Sequence, residues 1–231
     1  MYGLNSQYLL FMLPAFVLML LTQWYVSSAY KKWSRIGARS RMTGAQAAQR
    51  LISSGGLYDV RIEGIRGNLT DHYDPRTKTL RLSEGVYQSP SVAALAIAAH
   101  ELGHALQHHE GYFPLRLRSA LVPMVNIGSY LGWILIFIGL ILRVTDLAWL
   151  GVVIFAGGAV FALATLPVEL NASRRAKQLL ANTGIISGED EQKGVNHVLN
   201  AAALTYVAGL VTAVMQLLYF ISLVGGSSRR R

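Results

Sequence analysis

The sequence predicts an α-helical membrane protein carrying a small α+β domain, with about four transmembrane helices. Three observations lead there. Charged residues make up 14% of the 231 and apolar residues 52%, whereas a soluble domain carries about 25% charged residues. Four separate stretches stay apolar over the roughly 17–25 residues that a helix needs to cross a bilayer. The residues between them carry the caps, turns and periodicities of a folded domain. The composition also excludes several classes. There is no cysteine, so a disulfide framework, a Cys-ligated zinc site, an iron–sulfur cluster and a cysteine nucleophile are all ruled out.

The first apolar stretch runs from about Tyr8 to Val26 and contains Pro14. It lacks the basic leading segment of a signal peptide. Its basic cluster (Lys31, Lys32, Arg35, Arg39 and Arg41) lies on the far side, so residues 1–27 read as an anchor with the N-terminus outside. Residues 28–120 read as the folded domain. Thr43-Gly-Ala-Gln46 is a capping box that opens an Ala-rich helix ending at Gly55-Gly56. Val60, Ile62 and Ile65 suggest a short strand, and Asp74-Pro75-Arg76 a turn. Thr77 to Ser83 alternates as a half-buried strand. A helix then begins at Ser89-Pro90 or Ser91 and runs through VAALAIAAHELGHALQHH.

Residues 121–168 form a transmembrane hairpin, from about Val122 to Leu142 and from Leu147 to Val168, joined by Arg143 to Asp146. Residues 169–200 form a second polar segment, and residues 201–231 a last hydrophobic helix, about Ala201 to Val224, with a basic tail. The net charge of +9 could mark a nucleic-acid binder. Its placement says otherwise: 13 of the 21 Lys and Arg fall in residues 27–120, and Arg174, Arg175, Lys177 and Lys193 lie in the second polar segment. There is no aromatic–basic interleaving, so no nucleic-acid partner is expected. By the positive-inside rule both polar segments face the cytoplasm. Arg229, Arg230 and Arg231 break the pattern, because four complete spans leave them outside; either the tail is an exception or the last segment does not cross.

Within the third predicted helix, His100-Glu101-Leu102-Gly103-His104 matches H-E-x-x-H. Residues four apart on a helix share a face, so the two imidazoles can converge on one zinc ion, with the Glu positioned to take a proton from its water. His108 continues the face but lies roughly 12 Å along the axis from His100, too far to share the ion. His109 faces away. A catalytic zinc takes three protein ligands and a water, and Glu110-Gly111-Tyr112 does not continue to a third histidine. The third ligand therefore comes from elsewhere. Glu169 stands out, since it directly follows the third apolar stretch on the same side of the membrane as the motif. The competing reading pairs Glu169 with Arg174 or Arg175 at the interface. His72 and His197 are weaker alternatives, each alone in a polar stretch.

Four blocks of the chain carry a resemblance: DHYDPRTKTLRLSEGVY (71–87), SVAALAIAAHELGHALQH (91–108), LPVELNASRRA (166–176) and AAALTYVA (201–208). Together they resemble the YugP-like family of neutral zinc metallopeptidases of bacterial membranes, from about residue 28 to the last span. The chain is also similar, more distantly, to the HtpX-like and CAAX-prenyl-protease gluzincins, whose third ligand lies in an E-x-x-A-D motif after transmembrane helices. Glu169-Leu-Asn-Ala172-Ser173 matches that motif with Ser173 in place of Asp. The resemblance implies a zincin-like metallopeptidase domain with Zn²⁺ on His100, His104 and Glu169, and with Glu101 catalytic. The Asp that would orient a ligand histidine is missing, which leaves Ser173, Asp71 or Asp74 for that task.

The expected activity is hydrolysis of peptide bonds by metal-activated water in a protein of the bacterial plasma membrane. Membrane-associated or misfolded polypeptides are the expected substrates, and the lipid bilayer is the other partner. Thr77 to Ser83, just before the motif helix, sits where zincins place an edge strand, which can bind an extended peptide. Tyr206, polar in an apolar segment, could stabilise the oxyanion or serve as an interfacial aromatic anchor. Arg174 and Arg175 could act on the oxyanion as well, or simply flank a span. The reading from a different class is a non-catalytic membrane scaffold with a structural zinc, closed by a fourth ligand such as His72.

Overall fold

The structure, a computed structural model, describes residues 6–228. Its elements in chain order are α1 (Ser6–Trp33), α2 (Gly44–Gly55), β1 (Arg61–Ile65), β2 (His72–Asp74), β3 (Thr79–Ser83), α3 (Glu84–Tyr87), α4 (Val92–His109), α5 (Phe113–Ile141), α6 (Thr145–Asn182) and α7 (Glu189–Ser228). It is mostly helical, with one small sheet. Helices α1, α5, α6 and α7 are each long and apolar enough to cross a membrane. The tail arginines Arg229, Arg230 and Arg231 lie outside the described residues.

Local chemistry explains where the polar elements begin and end. The Thr43 side chain accepts from Gln46 N–H, and the Gln46 side chain accepts from Thr43 N–H, so both halves of the capping box are made. Gly56, at φ 69°, ends α2 in the left-handed region that glycine adopts without penalty. Ser91 caps α4 by accepting from Ala94 N–H at 3.2 Å. Val92 to Ala99 is buried all round except at Ile97, because small alanine side chains admit neighbours on every face.

The sheet differs from the expectation in two ways. It contains a strand that the sequence pattern did not announce, the three-residue β2, and its order is β1-β3-β2. The Thr79–Ser83 strand is therefore central rather than an edge, parallel to β1 and antiparallel to β2. Four of its five residues are buried instead of alternating, since strands flank it on both sides. The free edge lying near α4 is β2. The helices also outrun their apolar stretches. The third stretch is only the first part of α6, which continues to Asn182, and the last begins a turn or more inside α7.

The chain divides into two compact units. Of the described residues, one comprises 6–22, Arg116–Pro167 and 205–228. Inside it Trp133 packs edge-on against Phe220 at 4.8 Å between centroids, and Phe155 against Phe220 at 5.0 Å. The other comprises Gln23–Leu115 and Val168–Leu204. Its core gathers Leu80, Leu82, Val86, Leu95, Leu102, Leu180 and Leu199, all buried. Glu191 is buried there too, and it accepts from Arg39 N–H at 2.5 Å and Ser187 N–H at 2.8 Å. One carboxylate thus ties the chain after α1 to the start of α7.

Candidate metal centre

Helical spacing alone stacks His100 and His104 on one face of α4. Their ring centroids lie 4.9 Å apart and their planes are nearly perpendicular, at 87°. What spacing cannot supply is the group opposite them. Gly103 does part of that: a Cβ there would come within 2.5 Å of the Ala172 carbonyl oxygen, so only glycine admits the α6 backbone at this point. Glu169, about a turn before Ala172, is thereby carried onto the imidazoles.

The Glu169 Oε2 lies 3.3 Å from His100 Nε2 and 3.4 Å from His104 Nε2. Glu169 is only 2% exposed. A carboxylate so buried needs compensating charge or hydrogen bonds. Ligands at about 2.0–2.2 Å from a tetrahedral zinc stand about 3.3–3.6 Å apart, which the two measured separations match. All three ligand atoms lie within 4.8 Å of one another, and among the described residues no other group of three could hold a metal ion. Two imidazoles and one carboxylate are the donor set that zinc accepts, so the residues fit the ion.

Glu101 projects beside this group. Its Oε2 accepts the backbone N–H of Tyr73, on the edge strand β2, at 3.1 Å. Burial pushes the Glu101 carboxyl above its ordinary range, an effect that His100 and His104 oppose. Tyr73 itself is pushed up to about 12, first by burial and then by Asp59 and Asp74.

The other candidates go elsewhere. His108 Nδ1 lies 3.0 Å from the Tyr73 hydroxyl, and His109 is exposed. His72 is exposed with Nδ1 2.8 Å from Thr70 O, and His197 accepts from Trp33 Nε1 at 3.0 Å. Arg175 places its guanidinium bidentately on Glu110, both contacts at 2.7 Å, and Arg174 is exposed. Tyr206 is half-buried on α7 and belongs to the other unit.

Around the imidazoles, Ser173 Oγ lies 3.2 Å from His100 Nδ1. The two other residues considered for that position are engaged away from it. Asp71 accepts from Ser83 N–H and Oγ–H, and Asp74 from Arg76 N–H, Thr77 Oγ–H and Arg81. The group that sequence reasoning missed is Gln107, whose Oε1 lies 3.0 Å from His104 Nδ1, together with Asn171 behind it. The signal was available in part, since Gln107 is three residues beyond His104 and shares its face.

A mononuclear site of two histidines and one glutamate, in a chain with four membrane-capable helices, defines the class: a membrane-type protein built around a candidate zinc centre. The chain belongs to the family described as "putative neutral zinc metallopeptidase", whose sequence profile matches residues 8–225. It is similar to the "putative membrane protease YugP" of Bacillus subtilis (strain 168), at 47% identity over 199 residues, covering 86% of this chain and 88% of that protein. No solved structure matches the chain.

Proposed function

We propose that this protein is a membrane-embedded, zinc-dependent endopeptidase of the gluzincin type, with a zincin-like domain facing the cytoplasm of a bacterial cell. The observation that carries the reading is the buried Glu169 carboxylate at 3.3 and 3.4 Å from the two imidazole nitrogens of the H-E-x-x-H helix. His100, His104 and Glu169 are the residues that would hold the ion. Zinc in that position supplies a Lewis acid for the scissile carbonyl and a water acidified toward neutral pH.

The remaining steps belong to the chain's own groups. Glu101 takes the proton of the attacking water and delivers it to the leaving amine nitrogen. The Tyr73 N–H holds that carboxylate in position. An extended polypeptide would dock along β2, the sheet edge beside Glu101, by main-chain hydrogen bonds. Membrane-associated or misfolded polypeptides are the substrates that a domain flanked by apolar helices would meet.

Glu101→Gln tests this reading against a structural zinc site. Zinc content should remain that of the wild type while proteolysis of a casein or membrane-protein substrate falls by roughly 10²–10⁴-fold. Undiminished cleavage in this variant would reject the mechanism.

A further inference from the structure

Gln107 is completely buried on α4, and a buried amide is tolerated only when its polar atoms are paired. Its Nε2 donates to Val168 O at 2.8 Å and to Asn171 Oδ1 at 2.9 Å, and its Oε1 lies 3.0 Å from His104 Nδ1. An amide can be turned about, so the partners must decide which end is which. Here they do so twice. A backbone carbonyl such as Val168 O only accepts, so it must face the NH₂ group. The Asn171 oxygen is fixed independently, because Arg175 Nε, which can only donate, bonds to it at 2.7 Å. Arg175 is in turn held by Glu110, both contacts at 2.7 Å, and lies over the Tyr112 ring at 5.8 Å.

The Gln107 oxygen therefore has no orientation left except toward His104. An oxygen that only accepts requires a proton on Nδ1, and a neutral imidazole protonated there carries its lone pair on Nε2. That is the nitrogen 3.4 Å from Glu169. We propose that Gln107 is a positioning residue that selects the metal-binding tautomer of His104 and that Asn171 and Arg175 lock it in that sense.

His100 provides the contrast within the same site. Its Nδ1 meets the Ser173 hydroxyl at 3.2 Å, and a hydroxyl rotates to donate or accept. Ser173 thus leaves the tautomer of His100 open, whereas Gln107 closes that of His104. The same amide also grips α6 at Val168 and Asn171, on either side of Glu169, so one side chain sets both the His104 ring and the height of the facing carboxylate.

This inference rests on the reading of His104 as a metal ligand, and the test separates the two. The full-length protein in detergent is stripped of metal, and its zinc affinity is measured by chelator competition. Gln107→Met, of nearly equal size, should bind zinc about 10–100-fold more weakly than the wild type. A side chain that merely fills space would lower the melting temperature yet leave zinc affinity untouched, and that result overturns the proposal. A second measurement needs no variant of Gln107. In the zinc-free wild type, at a pH where imidazoles are neutral, ¹⁵N shifts of labelled histidines, assigned with His104→Ala, should show His104 protonated on Nδ1. A predominant Nε2–H form overturns the proposal. If His104→Ala leaves wild-type zinc affinity intact, the metal-site reading itself fails and takes this inference with it.

Discussion

Gly103 and Ala172 stand so close that a Cβ on the glycine would lie 2.5 Å from the alanine's carbonyl oxygen. Neither atom can yield without moving a helix, because one belongs to α4 and the other to the backbone of α6. Gly103→Ala is therefore expected to displace α6, and Glu169 with it, away from the imidazoles. Overpacking of this kind destabilises by about 1–3 kcal/mol. Denaturation in detergent should show that loss and chelator competition a weakened zinc affinity; an unchanged affinity would mean that contacts other than this one set the position of Glu169.

Glu169 itself offers the most direct test of the donor set. It is 2% exposed and shares one oxygen between two imidazoles. Removing it leaves two neutral nitrogens, too few for a catalytic zinc. Metal analysis of detergent-purified Glu169→Ala should find zinc largely lost, as in His100→Ala. Wild-type stoichiometry in the carboxylate variant would rule out Glu169 as the third ligand.

How much of this centre could be read in advance depended on how far apart its parts lie in the chain. The facing of His100 and His104 follows from helical periodicity, a local property. Glu169 could be singled out because acidic residues are scarce, 12 in the whole chain, and few lie beside an apolar stretch. Gln107 gave no such signal. An uncharged amide becomes informative only when its partners are known, and those partners, Val168 and Asn171, arrive on another helix more than 60 residues later. The sheet failed for a related reason. The alternation in Thr77 to Ser83 reports a strand but not its neighbours, and β2, at three residues, is too short for a period of two to register. Capping was legible because Thr43, Gln46 and Ser91 act within their own turn.

The Asp74–Arg81 pair predicts an acid sensitivity. Hydrogen bonds from Arg81, then Thr77, then Arg76 hold the Asp74 carboxyl well below the usual carboxylate range. With the folded value depressed below the unfolded one, near 3.9, the stabilisation is fully present above that pH. It is lost as the pH falls toward the folded value. The melting-temperature gap between wild type and Asp74→Asn should therefore be widest near neutrality and shrink below about pH 4. A gap independent of pH would show that the carboxylate's charge contributes nothing to the β2–β3 turn.

The absence of cysteine allows single cysteines to map topology against a clean background. The proposed topology, four complete spans with the basic segments inside, would put residue 87 in the cytoplasm and residues 145 and 226 outside. Impermeant maleimide applied to intact cells should label Thr145→Cys and Gly226→Cys and spare Tyr87→Cys until the cells are opened. Protection of residue 226 alongside residue 87 would mean that α7 does not cross.

Ser173 supplies the last comparison. Its hydroxyl lies 3.2 Å from His100 Nδ1, and a hydroxyl, unlike the oxygen of the Gln107 amide, can turn to donate or accept. A contact that steadies a ring without choosing its tautomer should matter less than one that does both. Outer partners of metal-bound histidines typically alter affinity about 10–100-fold, and Ser173→Ala should fall at or below the lower end while Gln107→Met falls within the range. Ser173→Asp reverses the logic, since a carboxylate only accepts and so demands a proton on Nδ1. It should tighten zinc binding relative to Ser173→Ala, despite the expense of a second buried charge. Parallel chelator titrations of the three variants order them, and an alanine variant weaker than Gln107→Met would place the controlling contact on His100 instead of His104.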